Sequence, residues 1–164
     1  MTHRTKPLVL GLGTVDRADD GVGPALVARL ADAGLDDVDL VAGPRDAAWI
    51  LDAWSGRPRV LVLDAVRSDR PVGHVMRVDP RAGPFVDPAG ASTHGLGLAS
   101  AIELGRALGD LPERLVLIGV EGACFDLGAE MSPLVRDALP EAAESARRIV
   151  ETWHADERRE VARA

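Results

Sequence analysis

The sequence has no tyrosine, two phenylalanines and three tryptophans among its 164 residues. It therefore lacks the aromatic platforms on which single-stranded nucleic acids stack. Positive charge is also scarce: 19 Lys and Arg stand against 26 Asp and Glu, a formal net charge of −7. No broad basic face awaits a phosphate backbone, so a nucleic-acid partner is not expected. One cysteine excludes an internal disulfide framework and any Cys-rich zinc or iron–sulfur site. No apolar run approaches the ~18 residues of a membrane span. The basic start MTHRTKPLVLGLG is followed by Asp16, Asp19 and Asp20, where a signal peptide would stay apolar up to a small-residue cleavage site. A soluble, cytoplasmic chain without a membrane partner is expected, and a free thiol fits that compartment.

What remains is an aliphatic chain, 46% hydrophobic, whose core must be Val, Leu, Ile and Ala. The length suits one domain of ~100–200 residues, and a domain of that size buries roughly 70% of its unfolded surface without staples. A single domain over residues 1–164 is expected, with a charged tail that frays from about residue 155.

Strand-like and helix-like stretches alternate. Continuous apolar runs at Leu8–Leu12, Val38–Val41, Val60–Val66 (VLVLDAV) and Leu115–Val120 (LVLIGV) read as strands buried on both faces. Helical spacing marks 24–33, 46–54 and 96–108. Ser132-Pro133 opens a last helix, with Ser as cap and Pro in the first turn; Pro140 is expected to break or kink it, and a longer helix is expected to run on to about Arg158. Residues 72–78 alternate and read as an edge strand. The return through Ser68-Asp69-Arg70 is too short for a parallel crossover, so that strand is expected antiparallel to its neighbour. The pattern predicts an α/β fold, a three-layer α/β/α sandwich around a five-stranded, mostly parallel sheet with one antiparallel strand.

In such sheets ligands bind beyond the carboxyl ends of the strands. Gly11 to Gly23 follows the first strand. A dinucleotide pattern beginning at Gly11 fails, because Asp16 stands where its third glycine is required and Asp19 and Asp20 would repel a pyrophosphate. Asp64 ends a buried strand, where a charge is costly unless paired. His94 stands before a helix in S-T-H-G. Asp20, Asp64 and His94 from three neighbouring strand ends suit a divalent first-row metal with open positions. Each also has an ordinary reading: Asp20 as a helix cap, Asp64 bonded to a loop amide, His94 as a solvated loop residue. Spacing alone does not choose between them.

Taken in order, the motifs resemble those of the NiFe-hydrogenase maturation endopeptidases. They are Gly11-Leu12-Gly13-Thr14, then Asp19-Asp20-Gly21-Val22-Gly23, Asp64-Ala65 after VLVL, T-H-G-L-G-L with His94, Leu117 to Gly122, and Met131-Ser132-Pro133 with Pro140. The likeness spans residues 8 to 153. It implies an endopeptidase that removes the C-terminal extension of a nickel-loaded hydrogenase large-subunit precursor, with Asp20, Asp64 and His94 as the metal-contacting and catalytic positions. Nickel would be presented by the substrate, and zinc or cadmium could take its place in vitro. The alternative on the same fold is a metal-responsive binding or chaperone module that does not cleave. A monomer is expected. Two departures stand out: Thr14 replaces the family's usual Asn, and Ala42-Gly43-Pro44-Arg45 replaces a G-G-T loop after the second strand. The second bears on the partner's identity and is expected to leave the three ligands untouched.

Other residues read as structural. Cys124 could pair with His94 as a nucleophile, but a small half-buried residue is the simpler reading. Ser92 and Ser132 lack a G-x-S-x-G elbow. Asp16 and Asp19 read as solvated loop carboxylates. Glu121, on the active edge, either contacts substrate or pairs with Arg45. His3, His74 and His154 read as surface residues without partners, and Trp49, Trp54 and Trp153 as packing.

Overall fold

The computed structural model describes residues 6–83 and 97–163. His3, His94, Ser92 and most of the Pro/Gly loop before the third helix lie outside them.

Among the described residues five strands form one sheet. They are β1 (Leu8–Leu12), β2 (Asp39–Gly43), β3 (Arg59–Val66), β4 (Val75–Val78) and β5 (Arg114–Glu121), in the order β2-β1-β3-β5-β4. All neighbours are parallel except β4 and β5. Among the described residues four α-helices cover it: α1 (Val22–Asp32), α2 (Ala47–Trp54), α3 (Leu98–Leu108) and α4 (Pro133–Arg163). Alternation along the central strands divides the core. Val9, Leu61 and Leu63 pack with Val116, Ile118 and Val120 against α1 and α4. Leu8, Leu10, Leu12, Val60, Val62, Leu115 and Leu117 face the opposite way, against α2 and α3. A strand sends successive side chains to opposite faces, so two apolar faces on one sheet produce the three layers the sequence predicts.

The antiparallel strand is present, but its neighbour is not the strand before it. β5 lies between β3 and β4, and among the described strands β4 pairs only with β5. β3 and β5 share full-length pairing, from Arg59 opposite Arg114 to Val66 opposite Glu121. The four-residue β4 has far less backbone to offer and takes the edge.

Pro140 does not break α4, which runs for 31 residues. A proline here removes the hydrogen bond to the Arg136 carbonyl and crowds that oxygen with its ring. Arg136 and Pro140 both lie on the exposed face, where water can serve that oxygen. The charged end is helical to Arg163 rather than frayed from about residue 155. Arg59 and Arg114, side by side at the starts of β3 and β5, hold it there. Arg59 donates to the Trp153 carbonyl at 3.2 Å and pairs with Glu157 at 3.0 Å; Arg114 pairs with Asp156 at 2.7 Å.

No described helix is long and apolar enough to cross a membrane. Trp54 and Trp153 are buried, and Trp49 lies against Gly43. His154 is not without a partner: its Nε2 lies 3.1 Å from the Asp37 carbonyl oxygen.

Candidate active site

The carboxyl ends of β1, β2 and β3 meet at one edge of the sheet. Leu12 and Gly43 end their strands side by side, and Gly11 lies opposite Leu63. Close packing fixes the path of the chain from β1 into α1. A Cβ on Gly23, in the first turn of α1, would stand 2.2 Å from the Leu12 carbonyl oxygen and 2.7 Å from that of Leu63. Only glycine lets the helix sit this near the strands. Gly13, at φ 124°, turns the chain under Asp20. As a result the Thr14 amide donates to Asp20 Oδ2 at 2.8 Å. The bond uses backbone, so threonine in place of the family's usual asparagine leaves it intact.

Asp20 lies in a 3₁₀ turn, Ala18–Gly21, that leads into α1; its side chain does not cap the helix. Its other oxygen, Oδ1, accepts from Arg45 Nη1 at 2.8 Å. Asp64, near the end of β3, accepts Arg45 Nε at 2.9 Å on Oδ2 and Arg45 Nη2 on Oδ1. One guanidinium therefore joins the two carboxylates, bidentate to Asp64 and single to Asp20. Side-chain exposure is 3% for Asp64, 9% for Asp20 and 23% for Arg45. Burial alone would lower the affinity of Arg45 for its proton. The hydrogen bonds and charge of Asp64, then those of Asp20, outweigh it and hold the group above the ordinary arginine value.

Arg45 is the residue sequence reasoning missed. The altered loop Ala42-Gly43-Pro44-Arg45 does not leave the expected ligands untouched; its last residue contacts two of them. Glu121, offered as an alternative partner, lies elsewhere: its carboxylate accepts from the Ser68 amide at 2.9 and 3.0 Å and from the Ser68 hydroxyl at 2.6 Å. A usable signal was present. A basic residue just past β2 stands at the strand-end edge that also carries Asp20 and Asp64.

Asp19 corrects a second expectation. It is fully buried, not solvated. Its carboxylate accepts from the amides of Ala123, Cys124 and Ser132 and from the Ser132 hydroxyl, at 2.7 to 2.9 Å. Burial would raise its pKa, but these four donors outweigh it and set the value below the usual carboxylate range. The Ser132 hydroxyl, expected to cap α4, donates to Asp19. Cys124 is half-buried, with its backbone committed to Asp19 on both sides: its carbonyl accepts from the Asp19 amide at 3.0 Å.

The expected trio is thus described only in part. Asp20 and Asp64 converge, and His94 lies outside the described residues. Among the described residues no three His, Cys, Asp or Glu side chains gather as a metal site. Two carboxylates meeting on one cationic group are nonetheless a donor set that fits a cation, and the cation they hold here is Arg45.

Known proteins share this fold and part of this sequence. The chain is 31% identical over 143 residues to a hydrogenase expression/formation protein HupD from Thiocapsa roseopersicina, an alignment covering 85% of this chain and 65% of that protein. It is 26% identical over 140 residues to the hydrogenase 2 maturation protease of Escherichia coli (strain K12), covering 84% and 85% of the two chains. The fold matches the solved structure of the hydrogenase maturating endopeptidase HybD from E. coli with a TM-score of 0.74 at 25% identity, over 87% of this chain and 90% of that one. The family model described as "HycI: Hydrogenase maturation protease" matches residues 24–149, a span that holds Arg45 and Asp64 and begins just after Asp20. Since that match runs from the first turn of α1 well into α4, it takes in most of the fold, and the chain belongs to the hydrogenase maturation protease family, a family of peptidases.

Proposed function

We propose that this chain is an endopeptidase that clips the C-terminal extension from the precursor of a NiFe-hydrogenase large subunit, and that it reads the nickel its substrate carries. The observation that supports this reading is the convergence of Asp20 and Asp64 on a single cation at the carboxyl edge of the sheet. The chain's own residues build the cradle. The Thr14 amide fixes one oxygen of Asp20, so that the other is aimed at the space shared with Asp64. Packing on both sides of β3 keeps Asp64 in place. His94 is proposed as the third donor. A divalent ion held there supplies Lewis acidity toward the scissile carbonyl or toward a bound water. Carboxylate and imidazole do not select nickel over zinc by affinity, so selectivity rests with the substrate that presents the metal. The reaction is assigned to the cytoplasm, in keeping with the single free thiol.

The test is processing. The chain is mixed with a nickel-loaded precursor and with a nickel-free one, and the products are sized on a gel. A shift with the loaded precursor alone is expected. Asp64→Asn and Asp20→Asn should each slow it by at least ~100-fold, the scale of losing a group that helps place a Lewis acid. Unimpaired processing by both variants refutes the assignment of the site. Stable association without a size shift would make the chain a binding module instead.

A further inference from the structure

We propose that Arg45 is a built-in counter-ion of this site: it occupies the cation position between Asp20 and Asp64 in the free chain, and it must swing out before a divalent ion can reach both carboxylates. The inference rests on the reading of these two aspartates as cation-contacting residues.

The geometry supports exclusion rather than sharing. A guanidinium has five N–H donors and no lone pair, so it can neither ligate a metal nor lie between a metal and its ligand. It does not give up its proton in proteins, so it cannot step aside by becoming neutral. Both oxygens of Asp64 are engaged by Arg45, as is the Asp20 oxygen that Thr14 does not hold. An ion bound to both carboxylates would therefore meet the positive charge of Arg45 at contact distance in a largely buried place.

Release is also built in. Arg45 follows β2 and precedes the Asp46 cap of α2, and it keeps 23% of its side chain in solvent while its partners are nearly closed off. Its stem lies against Gly97, at the start of α3; a Cβ there would come within 3.2 Å of Arg45 Cγ and 3.4 Å of Cδ. The side chain thus has a glycine beside its stem and is partly open to water, whereas both carboxylates are nearly closed off. The consequence is a filter. A loosely held aqueous ion competes poorly with a guanidinium already in place. An ion delivered by a docked protein, with docking energy behind it, can displace the guanidinium. The free chain is so kept from filling its site with the wrong metal.

Zinc binding to the chain alone tests this by titration calorimetry, with no precursor present. Arg45→Gln keeps much of the side chain's length and polarity and removes the charge. It should bind one zinc ion at least ~10-fold more tightly than the wild type, because a contact charge of like sign is gone. Arg45→Gln combined with Asp64→Asn should lose that gain. Arg45→Lys, which keeps the charge, should stay near the wild type. A folded Arg45→Gln chain with unchanged zinc affinity overturns the proposal, and so does a gain that survives Asp64→Asn. A readout on the unaltered protein covers the case of a misfolded variant. The ¹⁵N–¹H signal of Arg45 Nε should shift or vanish on saturation with zinc, and an unmoved signal at saturation overturns the proposal. The two readings fail separately. Equal zinc affinities with precursor clipping intact remove the counter-ion role alone. A confirmed zinc difference with no clipping of any nickel-loaded precursor removes the endopeptidase reading alone.

Discussion

Asp19 and Asp20 are neighbours in the chain, both buried, and they do opposite work. Asp19 is held by four donors, three of which are backbone amides of the segment between β5 and α4. None of those amides can leave without unmaking the chain path that carries it. Asp20 is held by one amide and one arginine side chain. The arginine can leave by rotating about its own bonds. A buried carboxylate satisfied by backbone ties loops together, and one satisfied by a side-chain cation keeps a place that another cation can take. The first supports fold stability and the second exchange, and adjacent positions carry the two because a 3₁₀ turn aims successive side chains in different directions.

That contrast can be broken from either side. The largest effect is expected from Asp19→Ala, which strands three amides and a hydroxyl in a dry place. At ~1–3 kcal/mol for each unsatisfied group, the loss should exceed ~4 kcal/mol by urea unfolding at pH 7. A loss under ~1 kcal/mol would show that the four donors find water, and the contrast with Asp20 would fall. Asp20→Ala should cost less, about 1–2 kcal/mol, because Arg45 keeps both of its bonds to Asp64 and loses only the one from Nη1.

Gly23→Ala falls between these two. Its Cβ meets carbonyl oxygens of Leu12 and Leu63 rather than a side-chain tip that could yield. A cost of about 2–3 kcal/mol is expected. Precursor processing should fall further than stability alone accounts for, since α1 and the turn bearing Asp20 must back away from β3. Full processing by a folded Gly23→Ala chain would show that the position of Asp20 is not set by this contact.

A pH series probes the role of Asp19 without substituting Asp20, Asp64 or Arg45. Asp19 has a folded pKa below its unfolded one. The stability it contributes is therefore complete above the unfolded value of ~3.9 and is lost as pH falls through the lower folded value. Acid unfolding should steepen below about pH 4, and Asp19→Asn should flatten that limb. An unchanged acid limb in Asp19→Asn would mean that other carboxylates carry it. The smallest effect belongs to Thr14→Ala, which keeps the amide that Asp20 uses. It should stay within about 0.5 kcal/mol of the parent chain and process precursor at the parental rate; a large loss would give the Thr14 side chain a role that the backbone bond does not explain.

Much of this was legible in the sequence because it is local. Continuous apolar runs bounded by helical spacing marked β1, β3 and β5, and the two-sided burial of those runs called for a layer of helices on each face. VLVLDAV placed an aspartate at the end of a buried strand, and Asp19-Asp20-Gly21-Val22-Gly23 placed another at the start of α1. These are consequences of period and composition, which a single segment carries whole. Pro140 does not end α4, because its cost depends on which face of the helix meets water, and Arg136 and Pro140 both lie on the exposed face. The charged end of α4 misled because it is held by arginines that begin two strands far away in the chain.

The rest was decided by tertiary structure. β5 enters between β3 and β4 because strand pairing is a competition among all the strands, and the longer parallel pairing takes the central place. Asp19 and Asp20 were alike as letters; burial and the direction of one turn separated them. Arg45 met Asp64 only once β2 and β3 lay on either side of β1, which brings their carboxyl ends to one edge. Sequence determined which residues carry charge at strand ends, since that is a property of each segment. Which charges touch depends on distances between segments, and only the packed sheet sets those.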